Sequence, residues 1–265
     1  MAKNNITIHK DNDIIQKPIT TKLSVTSMKI LDYLYHYSQK KLNNLVKKNI
    51  RNKSKVIKHF ENNPYRLLIP QTKMREWAGL EEYSNYTKMI RNSIKELKKD
   101  LEFKNYIDEK GKPIRWALKS FIKNVTESVS EQDNKTIVYD IEIDSSLISL
   151  ILSLENNFTQ IDLKYQKNWK SNNTLRLYQY FKSIQNMENN PEHNLKWLNT
   201  FLAPKTEFKF LSKGFEILNR NIKIINNDTD VIIDLVVNKA SKTFTFDIKS
   251  KNVVIKDIGK IAKQL

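Results

Sequence analysis

The apolar positions of this chain repeat with two periods. Leu31, Leu34, Tyr35, Leu42 and Leu45 share one face of a helix across residues 28–46, with Thr26 and Ser27 ahead of them as candidate N-caps. Tyr86, Ile90, Ile94, Leu97 and Leu101 do the same across 84–101, and Phe208, Leu211, Phe215, Leu218 and Ile222 across 207–222. A short helix is predicted at 71–78, stopped by Gly79. Another, capped by Asn172 and Asn173, carries Leu175, Tyr178, Phe181 and Ile184; a further one opens at Pro191 and Glu192, carries Leu195, Leu198 and Phe201, and ends at Ala203 and Pro204. Alternating or β-prone runs predict strands at 65–69 and 136–143. Two hairpins are predicted, 101–107 with 114–125 around DEKGKP and 231–237 with 243–248 around NKASK.

Along the chain these elements run helix, strand, helix, helix, hairpin, and then three helices and a hairpin. That is the order of a winged helix-turn-helix used twice, and two matches in one order point to duplication. The predicted fold is α+β, two tandem winged helix-turn-helix domains related by internal duplication. An Asn-, Lys- and Gln-rich stretch at 155–173 marks the boundary, giving domains 1–155 and 156–265, the second with a basic tail. Residues 1–26 read as a loosely ordered arm with one short strand, and 147–154 as an apolar helix that is buried or connects the domains. Lys47, Lys48, Arg51, Lys53, Lys55 and Lys58, with no acid among them, predict an extended or mobile segment.

Charge narrows the partners. The 265 residues carry 46 Lys and Arg against 29 Asp and Glu, a net charge of +17. Such an excess favours a polyanion: duplex DNA, structured RNA or an anionic membrane surface. The doubled helix-turn-helix order selects double-stranded DNA. There is no cysteine, and His9, His36, His59 and His193 are scattered, so no disulfide framework, metal or cofactor is expected. The longest apolar run, at 147–154, is far short of the ~18 residues of a membrane span, and a cytoplasmic protein with no membrane partner is expected.

A recognition helix must be two-faced, one side packed on its domain and the other in the major groove. In the stretch 207–222 and just before it, Lys205, Thr206, Lys209, Ser212 and Lys213 crowd the leading turns, and Glu216 and Arg220 continue the polar side. Lysine reads guanine, and Ser or Thr either base. Lys239, Ser241 and Lys242 at the tip of the second hairpin suit a wing on the phosphate backbone or in the minor groove. In the first domain Lys88, Arg91, Lys95 and Lys98 form a uniformly cationic face suited to phosphates, either for weak DNA binding or beside a dimer contact.

The stretches TLRLYQYF (174–181), HNLKWLNTFL (193–202) and FLSKGFEILNRNI (210–222), with FTQIDL (158–163) before them, resemble the iteron-binding plasmid replication initiators of theta-mode replication. The resemblance is best over 141–248 and weaker over 28–126. It implies paired winged-helix domains, the C-terminal one reading direct repeats at a plasmid origin and the N-terminal one serving dimerisation or further DNA contact. It also implies monomers that initiate, dimers that repress their own gene, host partners such as a helicase or initiator, and a place at the bacterial nucleoid or plasmid. Gly214-Phe215 stands where that family commonly has two aliphatics.

Three rival readings compete with this one. A rolling-circle nickase needs a nucleophilic Tyr and a His-x-His metal cluster, and no such histidine pair exists. A metal-dependent nuclease could use Asp140, Glu142 and Asp144 on one strand face, or Asp247-Ile248-Lys249, but alternating carboxylates are common on solvated strands. A transcriptional repressor without an initiator role would use the same base-reading surface. None of the three displaces a non-enzymatic DNA-binding initiator as the expectation.

Overall fold

Helix α1 (Val25–Lys48) buries Leu31, Leu34, Tyr35 and Leu42, the stripe its sequence predicts. Its cap is Ser24, ahead of the expected Thr26 or Ser27: the Ser24 Oγ accepts from the Ser27 N–H at 3.2 Å. The Glu96 carboxylate accepts from the Ser24 N–H at 2.8 Å and fixes the same end. The computed structural model describes residues 7–12, 15, 23–48, 53–99, 101–107, 113–145, 148, 151, 158–187, 190–204 and 206–251, with only the backbone for 7, 9, 11, 46–48, 53–54, 57, 61–62, 101–107, 113–119 and 158. Contacts divide the chain between Asn172 and Asn173 into two units.

In the first unit α1 is followed by α2 (Lys53–Asn62), β2 (Tyr65–Pro70), α3 (Gln71–Ala78) and α4 (Tyr86–Leu97), after a leading strand β1 (Thr7–Asp11). The stretch 47–58, expected to be extended, is helical wherever it is described. Lys47 and Lys48 end α1 and Lys53 opens α2, while 49–52 lie outside the described residues. Val56 and Phe60 of α2 pack on the core, and that burial outweighs repulsion between the exposed Lys55 and Lys58.

Four strands come next: β3 (Leu101–Ile107), β4 (Pro113–Lys119), β5 (Ile122–Val129) and β6 (Ile137–Ile143). The predicted second arm at 114–125 is therefore two strands. Among the described residues β3 pairs only with β4, whereas β5 joins a three-stranded sheet of order β2-β6-β5. The turn between β3 and β4, at 108–112, lies outside the described residues, as does most of the predicted helix 147–154, of which Ile148 and Ile151 are helical and buried.

Gly79 ends α3 in the left-handed region (φ 67°), and a Cβ there would lie 2.5 Å from the Lys167 carbonyl oxygen. Only glycine meets both demands. That contact also shows where residues 158–172 belong. Strand β7 (Phe158–Asp162) pairs antiparallel with β1 along its length, the buried Lys29 ammonium donates to the Lys167 carbonyl at 2.6 Å, and the Asn172 amide donates to the Leu23 carbonyl. The boundary thus falls after Asn172 rather than at 155. A polar segment is held by backbone pairing and side-chain hydrogen bonds that a composition shift does not register.

The second unit contains α5 (Asn172–Ile184), β8 (His193–Asn194), α6 (Leu195–Leu202), α7 (Leu211–Asp228), β9 (Val231–Asn238) and β10 (Thr243–Ser250). α6 starts later than Pro191 and Glu192 suggest, because 193–194 pair with β10 and Asn194 caps the helix by accepting from the Trp197 N–H at 2.9 Å. The sheet order is β8-β10-β9. The order in the first unit, β2-β6-β5, is the same arrangement: a strand before the helix pair, the last strand in the middle, and the strand after the second helix on the far edge. The duplication is real, but the wing-equivalent pair of the first unit is β5–β6, and β3–β4 is an inserted hairpin.

Leu175, Leu177, Tyr178, Phe181, Leu198, Phe201, Leu218, Ile222, Phe244 and Phe246 fill the second core. At its edge His193 stacks on Trp197 at 3.7 Å between ring centroids and shares a hydrogen bond with the Tyr180 hydroxyl. Burial lowers its pKa from 6.5 to about 4. The unfolded chain therefore binds this proton more readily than the folded one. Stability is expected to be full above about pH 6.5 and to fall as pH drops towards 4. Urea denaturation of wild type and His193→Phe across that interval checks this: the variant should show the shallower decline, and parallel curves would remove His193 as its source.

Candidate nucleic-acid interface

Eighteen residues make α7 a rod of about 27 Å. Its packed side carries Gly214, Leu218, Asn221, Ile222 and Ile225. Gly214 lets the rod lie close on its neighbours: a Cβ there would come within 2.9 Å of Leu195 Cδ1 and 3.0 Å of Phe244 Cζ. The buried stripe thus includes a glycine and an asparagine, and Phe215, expected to be packed, is 39% exposed. Hydropathy cannot see a buried Gly or a buried Asn that finds partners. Asn221 is such a case, accepting from the Thr174 hydroxyl at 2.7 Å and donating to the Ile217 carbonyl at 2.7 Å.

The helix begins at Leu211, after the predicted 207, with Phe210 at the N-cap. Thr206 and Lys209 are exposed but precede it, and Lys205 lies outside the described residues. Ser212, Lys213, Glu216 and Arg220 are exposed on the side away from the core. Two turns beyond Ser212, Glu216 and Arg220, the same face carries Asn219, Lys223 and Asn227, of which the last two lie past the predicted end of the helix at 222. The helical period itself, extended to Asp228, is the signal that reveals them. Lys213 and Glu216 form an ion pair at 2.6 Å that holds the Glu216 carboxyl below its usual range. Both are more than half exposed, so the pair is readily exchanged for a phosphate or a base edge.

Two asparagines set the attitude of this rod. Asn199 on α6 donates to the Phe208 carbonyl at 3.0 Å and accepts from the Phe208 N–H at 2.8 Å, fixing the turn before the helix. Asn226 does the same for Ile233, at 2.9 Å in each direction, fixing the far end to β9. Neither is visible in the sequence, since both partners are backbone groups brought near only by the fold. Asn199→Ala leaves both Phe208 groups without their partner and is expected to cost about 1–3 kcal/mol of stability. Denaturant titration measures it, and an unchanged midpoint would mean that water replaces the clamp at no cost.

The turn between β9 and β10 is shaped by Asn238, whose Oδ1 accepts from the Ala240 and Ser241 N–H groups at 3.0 and 3.1 Å, and by Lys242 in the left-handed region (φ 56°). Lys239 and Lys242 are exposed at the tip. Ser241 is exposed as well, but its hydroxyl and that of Thr243 both donate to the Glu192 carboxylate. All three wing candidates are therefore presented to solvent, and Ser241 also braces the hairpin.

In the first unit Lys88, Lys95 and Lys98 are exposed, but the face of α4 is not uniformly free. Arg91 makes a two-point contact with Glu127 on β5, Nε to Oε2 at 2.8 Å and Nη2 to Oε1 at 2.5 Å. The contact raises the Arg91 pKa and lowers that of Glu127. The cation expected to meet phosphate is instead joined to the wing-equivalent strand. The turn before α4 is braced by Arg75, which donates to the Leu80 and Glu81 carbonyls and lies 4.2 Å over the Tyr86 ring. Asn199 does the corresponding work in the second unit.

The acids that could have served a nuclease have other engagements. Arg66 reaches Asp140 at 2.9 Å, and Glu142 is met by Lys123 at 3.2 Å and by the Asn124 amide at 3.1 Å. Asp247 pairs with Lys249 at 2.6 Å. Among the described residues no three His, Asp or Glu side chains gather as metal ligands, and no helix is long and apolar enough to cross a membrane.

Two helix-turn-helix units in tandem, each with a three-stranded sheet in the same order, define a double winged-helix protein. The family of initiator replication proteins, through its WH1 domain, matches residues 7–182, and the chain belongs to that family. No curated protein matches the sequence. A solved structure of the Pi initiator protein in complex with iteron DNA is similar in fold, with a TM-score of 0.60 at 12% identity over 92% of this chain and 97% of that one. Domains 2 and 3 of RctB align at 17% identity and a TM-score of 0.45, over 73% of this chain and 77% of that one.

Proposed function

We propose that this protein starts plasmid replication by binding direct repeats in origin duplex DNA, with α7 as the reading element. The observation that carries this is the exposed polar face of α7, with Lys213, Arg220 and Lys223, on a rod fixed at both ends by asparagines and flanked by a lysine-tipped wing. Membership of an initiator family and a fold shared with an initiator solved on iteron DNA support it. Lys239 and Lys242 serve the wing on the backbone. Lys88, Lys95 and Lys98 serve phosphates or lie beside a dimer contact. The protein is a cytoplasmic, non-enzymatic initiator that works as a monomer at the origin, represses its own gene as a dimer, and recruits a host helicase or initiator.

Footprinting on the DNA around its own gene tests this. Protection of several adjacent direct repeats, with local melting beside them, is the expected result. Protection of a single operator without melting would leave only a repressor, and no protection at all would end the reading. Arg220→Ala is expected to cost about 1–3 kcal/mol on the repeat and little on random duplex if it reads a base. Equal losses on both would make it a phosphate contact.

A further inference from the structure

We propose that Phe210 reads the 5-methyl group of a thymine in the repeat, adding an apolar specificity contact to the polar face of α7. This rests on the function proposed above and names one of the features of DNA that it recognises. Phe210 is 71% exposed, the most of the large apolar side chains found exposed among the described residues. It also occupies the N-cap of α7, with extended backbone (φ −122°, ψ 140°) and no side-chain hydrogen bond to the helix. Ser, Thr, Asp or Asn at an N-cap would satisfy an end N–H, and a phenyl ring cannot. The position thus gives up a side-chain cap and leaves an aromatic ring largely in water.

The ring is held there by its neighbours. Phe208 is pinned through both backbone groups by Asn199, and the Phe210 carbonyl accepts from the Lys213 and Gly214 N–H groups at 3.1 and 3.3 Å. Its backbone is therefore fixed on both sides. Exposed Lys209, Ser212 and Lys213 surround it, with Glu207 as the acid nearby in sequence. A lysine-flanked aromatic complements a phosphate-lined groove better than the apolar face of another protein. In the helix-turn-helix docking mode the leading residues of the second helix reach base edges. In the major groove the apolar group on those edges is the thymine methyl, and a phenyl ring is a suitable partner for it.

Deoxyuridine tests this, because replacing thymine by uracil removes the methyl and leaves every hydrogen-bonding group. Each thymine of the footprinted repeat is replaced singly, and the affinities of wild type, Phe210→Ala and Phe210→Leu are measured. For wild type one or two replacements should weaken binding about fourfold, the value of one buried methyl. Phe210→Ala should bind the thymine duplex at least as much more weakly, and should be indifferent to uracil at those same positions while remaining repeat-specific. Phe210→Leu should retain part of the sensitivity. The assignment is overturned if Phe210→Ala binds like wild type, if its sensitivity to uracil is undiminished, or if it fails to fold, which would contradict the exposure of the ring. Repeat binding without this coupling defeats the thymine contact alone; absence of repeat binding by wild type defeats the parent function and this contact with it.

Discussion

Raising monovalent salt from about 50 to about 200 mM should weaken binding to the repeats by on the order of 10³ to 10⁵, if about six to ten phosphates are contacted. The net charge of +17 and the exposed Lys213, Arg220, Lys223, Lys239 and Lys242 are the sources of that dependence. Each cation that neutralises a phosphate releases counterions, so the logarithm of affinity falls linearly with the logarithm of salt. Replacing Lys239 or Lys242 by Ala should reduce the slope by about one for each phosphate that is no longer neutralised. Fluorescence anisotropy at four or five salt concentrations measures both quantities. A flat response would rule out a phosphate-dominated interface and with it the docking scheme.

Asp32→Ala should be among the most destabilising single changes in the first unit, at about 3–5 kcal/mol. The Lys10 ammonium on β1 meets the Asp32 carboxylate on α1 at 2.8 Å, with side-chain exposures of 5% and 3%. Removing the acid takes a carboxylate away from a buried cation. The double variant Lys10→Met, Asp32→Leu should recover most of the loss, since two apolar groups of similar size need no counter-charge. Chemical denaturation of wild type, single and double variants decides it. A small effect of Asp32→Ala would mean that β1 releases its lysine to solvent at little cost.

This ion pair shows what holds the short strand expected in the N-terminal arm. Thr7–Asp11 has little apolar period, yet it becomes a strand because β7 supplies a partner far along the chain and Asp32 accepts its lysine. The same cause displaces the boundary to Asn172, since residues 158–172 look like a linker until their contacts with Gly79, Lys29 and Leu23 are known. Within the site, periodicity locates α4 and α7 and brings most of the cations to the correct face. It does not show that Arg91 is committed to Glu127, that Ser241 shares Glu192 with Thr243, or that Phe215 is turned out while Gly214 is packed.

The winged-helix order and its repetition, the basic character of the protein and the two-faced nature of α7 are legible in the sequence. These follow from local spacing and composition, which the chain carries whether or not it is folded. The tertiary structure alone decided which strands make each wing, where one unit ends, which cations are already paired, and how Asn199 and Asn226 fix the presented helix. Those depend on groups distant in sequence meeting at hydrogen-bonding distance, and no periodicity records the partner of a buried polar group.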